Sequence, residues 1–168
     1  MSLRRPVTEW SRGVVLCLVP GLLLAGCADG PYAASPPAPA EDATACAGLM
    51  GSLPDTLAGE ERREVTGGDG RVAAWGDPAI VLTCDVPLPD DFTDTSTCIE
   101  ANGTGWFVPD SVLESDDEAA DVTMTAVGFR PRVEVALPGG YRPDGFQAVI
   151  GTIGRLVSAE LSLEQRCR

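Results

Sequence analysis

The stretch VAAWGDPAIVLTC (Val72–Cys84) decides the fold class. Two runs rich in β-formers, Val72–Trp75 and Ala79–Cys84, flank Gly76-Asp77-Pro78. Gly supplies unusual backbone angles and Pro presets φ, so this tripeptide predicts a turn. Ile80-Val81-Leu82 has no polar member, which predicts a strand buried in the middle of a sheet. Working outward, Arg62–Val65 and Gly105–Val108 are further strand candidates, with Gly67-Gly68-Asp69-Gly70 as a turn. Val122–Phe129 alternates in part. Val133, Val135 and Leu137 alternate cleanly with Arg132, Glu134 and Ala136, the period of a half-buried strand.

Two helices complete the pattern. Ala45–Leu53 predicts a short one that stops before Pro54. Phe146, Val149, Ile150, Ile153, Leu156, Val157 and Leu161 recur mostly every three or four residues. They form one apolar stripe on a helix from about Asp144 to Leu161. Gly151 and Gly154 inside it cost roughly 1 kcal/mol each relative to Ala, a loss that close approach to a sheet would offset. The expected fold is therefore α+β: a small antiparallel sheet of four or five strands, with an N-terminal and a C-terminal helix packed on it.

The 168 residues fit one domain plus attachments. Residues 1–26 predict an export signal. Arg4, Arg5 and Arg12 precede an apolar run, Val14–Ala25, that is too short for a membrane-spanning helix and is broken by Pro20-Gly21. Leu24-Ala25-Gly26-Cys27 at its end resembles a bacterial lipobox. That resemblance implies cleavage before Cys27 and lipid on its thiol and new α-amine, with two or more chains for stable anchoring. The expected location is the outer face of the cytoplasmic membrane. Residues 27–43 are rich in Pro and Ala and predict a flexible tether, and 44–168 a single extracytoplasmic domain.

The cysteines agree with export. Cys17 leaves with the signal and Cys27 takes the lipid, so four remain. An even number in an exported chain predicts disulfides. Four cysteines allow three pairings; Cys84–Cys98 and Cys46–Cys167 are favoured, the first closing a short loop and the second pinning the chain end. A zinc site is disfavoured because close Cys-x-x-Cys pairs are absent.

Charge narrows the functions. Asp and Glu number 25 against 12 basic residues, all Arg, for a net −13, and His is absent. Nucleic acid as a partner is disfavoured, since phosphates need a basic footprint. Without His or Lys, the usual bases for a nucleophilic serine are missing. The acidic loops, Asp85 to Asp94 and Asp110 to Asp121, could supply oxygen to Ca²⁺. They lack the spacing of a Ca²⁺-binding loop and read better as solvated surface. No metal, cofactor or catalytic residue is assigned. Asn102-Gly103-Thr104 matches a glycosylation pattern but reads as a turn. Arg62, Arg63, Trp75, Asp77 and Tyr141 are the recognition candidates: arginines beside aromatics can receive an anionic partner. The bland alternative places Trp75 and Trp106 in the core and pairs the arginines with Glu60, Glu61 and Glu64. The Arg130-Pro131-Arg132 turn has the same two readings.

Several landmarks now stand together: lipobox Cys27, Cys46 with Leu53-Pro54, Gly59–Arg63, Ala73–Cys84, Cys98, Val133-Glu134-Val135 with Pro138 and Tyr141, and Arg166-Cys167. In this combination the chain resembles the actinobacterial lipoprotein family catalogued as domain of unknown function number 3515, over nearly all of 44–168. Thr83 occupies a central position that is often basic there. The resemblance implies a high-G+C Gram-positive host and carries no activity, substrate or catalytic residue. The expected function is a lipid-anchored, non-catalytic binding or interaction module whose partner is an envelope protein or cell-wall component. A small-ligand or metal-binding lipoprotein is the first alternative. A carboxylate-dependent hydrolase is the second.

Overall fold

The computed structural model describes residues 30–35, 37–38 and 40–167. The predicted export signal, Cys17 and the lipidation candidate Cys27 lie outside them. The fold is α+β, as the sequence predicts, but its main sheet is larger than expected. Eight antiparallel strands stand in the order β2 (Thr56–Leu57), β3 (Glu60–Arg63), β5 (Val72–Trp75), β6 (Ile80–Cys84), β11 (Val133–Leu137), β9 (Val122–Ala126), β8 (Thr104–Phe107) and β7 (Cys98–Ala101). The expectation of four or five strands fell short at the two flanks: the strand candidate Arg62–Val65 overlaps only the end of β3, and β2 and β7 were not expected. β3 reads Glu-Glu-Arg-Arg and β7 is only partly buried. Strands near a sheet margin bury little on either face, so no apolar alternation marks them.

The centre is as read. β5 and β6 form the hairpin around Gly76–Ala79, with Trp75 opposite Ile80 and Ala73 opposite Leu82. β11 lies between β6 and β9, and Val135 faces Leu82 on one side and Met124 on the other. Helices α1 (Ala43–Ser52) and α3 (Arg142–Glu160) cover one face. Leu49, Val149, Ile150, Ile153 and Val157 are fully buried between helices and sheet. Asp42 caps α1 by accepting the Ala45 N–H.

The α3 glycines mark where the helix meets the β7–β8 hairpin. A Cβ on Gly154 would stand 2.7 Å from the Ala101 carbonyl oxygen. Thr104 Oγ1 donates to the Gly154 carbonyl at 2.8 Å, and Asn102 Nδ2 to that of Gly151 at 2.7 Å. Asn102 and Gly103 have φ of 49° and 87°. They are the turn expected there, a two-residue hairpin with both centres left-handed.

The disulfides join Cys46 to Cys84 and Cys98 to Cys167. The favoured pairing, Cys84–Cys98 and Cys46–Cys167, is thus corrected. Proximity in sequence misleads because Cys84 and Cys98 lie in different parts of the sheet: β6 is central and β7 is the far edge. Each bond instead ties a strand to something laid against it, α1 on β6 and the chain end on β7.

The other face of the sheet carries two covers. Phe92, from the loop after β6, packs edge-on against Phe107 with ring centres 5.2 Å apart. The second cover comes from the segment expected to be a flexible tether. Tyr32–Ala34 (β1) pairs in parallel with Val65–Gly67 (β4). The arm then runs to Ala38, whose carbonyl accepts Arg71 Nη2 at 2.6 Å. Asp85 Oδ2 accepts the N–H groups of Glu41 and Asp42 and lies 3.8 Å from Arg71 Nη1. Arg71 and Asp85 are 5% and 6% exposed, so each needs the other. A short strand pair, β10 (Phe129–Arg130) with β12 (Ser162–Leu163), closes the C-terminal end.

Arg71→Ala should lower unfolding stability in urea by about 3 kcal/mol, the scale for removing one partner of a buried ion pair. Gly154→Ala should lower the Tm despite the better helix propensity of Ala. Gly151→Ala, whose Cβ would meet only a side-chain amide at 3.5 Å, should leave the Tm unchanged or raise it; circular dichroism melts separate the two.

Candidate binding surface

The structure brings the sequence-nominated residues together at the β5–β6 turn. Gly76 has φ 72°, a value favouring glycine. Its missing side chain also matters, because a Cβ there would lie 2.7 Å from Glu60 Oε2 and 2.8 Å from the Tyr141 hydroxyl. Around this point the arginines are engaged. Arg63 donates to the Gly76 carbonyl at 3.1 Å and to that of Gly30 at 2.7 Å, and stands 3.5 Å from Asp77. Arg62 donates to the Leu53 carbonyl at 3.2 Å, just beyond α1, with its guanidinium 5.8 Å from the centre of the Trp75 ring.

Trp75 itself is 0% exposed, and its Nε1 donates to the Pro54 carbonyl at 3.0 Å. It therefore belongs to the core. Of the two readings of Trp75, recognition and core, the structure shows the core one, because β5 lies inside the sheet rather than at its edge. The arginines clamp the corner where α1, β3, the β5–β6 turn and the N-terminal arm meet. Burial, then the nearby Glu60 carboxylate, raises the Tyr141 phenol above its ordinary pKa. A polar hollow of about 570 Å³ remains beside the clamp, lined by Glu60, Glu61, Arg63 and Asp77.

A different site was not legible in the sequence. At the other end of the sheet an apolar cleft of about 480 Å³ opens between α3 and the segment after β8. Val108, Val122 and Ile99 line it from the sheet side, Phe146 and Pro143 from α3. Leu113, on the short helix α2 (Asp110–Leu113), overhangs it and is 46% exposed. Glu118, Arg142 and Gln147 stand among the lining residues as polar groups. The loop to β9 is held down locally: Arg142 donates to the Asp117 carbonyl, and the Asp121 carboxylate accepts the Gly139 N–H, both at 2.8 Å. Gly139 fits because the Ala119 carbonyl occupies the space of a Cβ. The cleft joins four separate segments, so no local motif announces it. Its size and mixed lining suit a small-molecule site.

A second, more polar cleft of about 350 Å³ holds Arg130 and Arg132 with Leu88, Phe92 and Glu164. Arg130 pairs with Glu164 at 3.3 Å. Burial, then the neighbouring Arg130 charge, lowers the Arg132 pKa.

The acidic residues do not act as one group. Asp85 is buried in the clamp with Arg71, apart from the loop carboxylates that follow it in sequence. Among the described residues, no three His, Cys, Asp or Glu side chains are placed to hold a metal ion. Burial raises the pKa of the Glu134 carboxyl. Its cross-strand neighbours are Thr83 and Thr125 rather than a second carboxylate.

A raised carboxyl pKa means that folding favours the protonated form. The contribution of Glu134 to stability is full below the unfolded value near 4.3 and is lost as pH rises through the folded value. Glu134→Gln should therefore raise the Tm at pH 7, and the gain should vanish near pH 3.

No curated protein and no solved structure matches the chain. A family model described as "Protein of unknown function (DUF3515)" matches residues 14–161. Because that match covers most of the chain, the chain belongs to the DUF3515 family.

Proposed function

We propose that this protein is a lipid-anchored, extracytoplasmic binding module that takes an apolar or amphipathic small molecule and performs no catalysis. The apolar cleft under Leu113 carries this reading. Its 480 Å³ is large enough for a compact ligand. Its apolar walls contribute about 25 cal/mol for each Å² of ligand removed from water, and Arg142 and Gln147 offer polar contacts among them. The burial of Trp75 shifts weight from the interaction-module reading to this one: the aromatic anchor that a protein partner would need is used in the core. Non-catalytic action is supported by the absence of His and Lys and by the lack of a partner carboxylate beside Glu134. Anchoring is supported by the basic start, short apolar run and lipobox ending at Cys27. Cys27→Ala should release the protein from the membrane fraction; retention of the variant there would contradict anchoring.

The cleft is tested with the fluorescent probe 1-anilinonaphthalene-8-sulfonate on the folded, disulfide-bonded chain. Saturable binding of one probe per chain is expected, weakened at least tenfold by Leu113→Asp. Leu163→Asp changes an equally exposed leucine, 44% exposed on β12, and should leave binding intact. Absence of saturable binding, or equal loss in both variants, would overturn this site.

A further inference from the structure

The segment between the lipidation candidate and the domain is strapped down almost to its start. Arg63 holds the Gly30 carbonyl at 2.7 Å. The Tyr32 N–H donates to the Glu64 carbonyl at 2.7 Å, and β1 continues through Ala34 opposite Gly67. Gly67 is shaped for this contact: a Cβ there would lie 2.8 Å from the Ala34 carbonyl oxygen. Arg71 then holds Ala38, and Asp85 holds Glu41 and Asp42. Three side chains and one strand pair therefore fasten the arm.

Only two residues, Ala28 and Asp29, separate Cys27 from Gly30, so three residue steps give a reach of about 10 Å at full extension. A free coil from Cys27 to Ala45 would instead have an end-to-end distance of roughly 23 Å and would let the domain tumble. We infer that the corner around Gly30, Arg63 and Asp77 rests against the lipid surface, so the domain has a fixed membrane-facing end. This rests on the anchoring at Cys27 proposed above.

The sheet order then sets what faces away. β7 is six strand positions from β3, about 29 Å at the usual inter-strand spacing. The apolar cleft includes Ile99 on β7. It is carried at the end remote from the bilayer, open to ligands arriving from outside.

Energy transfer to a lipid surface tests the orientation. The full-length protein is produced in its host, extracted from membranes and reconstituted in vesicles of phosphatidylglycerol and cardiolipin that contain an acceptor-labelled lipid. A donor fluorophore replaces Glu61 on β3 in one preparation and Glu100 on β7 in another; both side chains are exposed. Transfer from position 61 should exceed that from position 100 several-fold. Inserting ten Gly/Ser residues between Ala28 and Asp29 should abolish the difference. Equal transfer from both positions in the native-length chain, or stronger transfer from position 100, would overturn the fixed orientation while leaving anchoring intact. The mass of the N-terminal peptide separates the two readings: an unmodified Cys27 in membrane-extracted protein would overturn anchoring and, with it, this inference.

Discussion

The Asp85 carboxylate is the point on which the N-terminal third of the molecule depends. It sits at the end of the central strand β6 with φ 62°, a left-handed conformation that Asp tolerates better than most residues. Arg132 accepts both the Asp85 and Val86 N–H groups at its carbonyl, which turns the chain out of the sheet. The carboxylate is then left inside the protein, where a bare charge would cost several kcal/mol. Arg71 and the two N–H groups at the start of α1 satisfy it. One residue earlier, Cys84 is bonded to Cys46 in the same helix. Charge and covalent bond therefore act at neighbouring positions to hold α1 and the arm before it on one spot of the sheet.

That fastening has consequences at both ends. On the near side, the arm becomes an additional parallel strand, and Arg63 ties its beginning to the β5–β6 turn. On the far side, α3 lies down on the β7–β8 hairpin through Gly154, and the Cys98–Cys167 bond closes the edge. A sheet fixed at both margins can keep an apolar cleft open between α3 and α2 without collapsing around it.

Legibility in the sequence followed burial. The β5–β6 hairpin, β11 and α3 were readable because their apolar residues repeat with the period of the element. The Asn102-Gly103 turn was readable because only a few residue types accept its backbone. β7 was not, and β3 was caught only at its end, since their side chains are at most half-buried and carry no pattern. Arg62, Arg63, Trp75, Asp77 and Tyr141 were nominated from sequence with a recognition reading and a core reading side by side, and the structure places Trp75 in the core and the arginines on backbone carbonyls. Five recognition-type residues close in space look alike whether their donors point outward or, as here, into backbone carbonyls.

The sequence by itself determined the α+β class, the central hairpin, the long C-terminal helix, the presence of disulfides and the family. These follow from local periodicity, turn chemistry and cysteine parity, which are properties of neighbouring residues. Only the tertiary structure decided which cysteines pair, that Trp75 is core, that the Pro- and Ala-rich arm is docked, and where the cleft lies. Each depends on residues tens of positions apart being brought within a few ångströms. The free energy that does so is a sum over the whole core and is written in no single stretch of the chain.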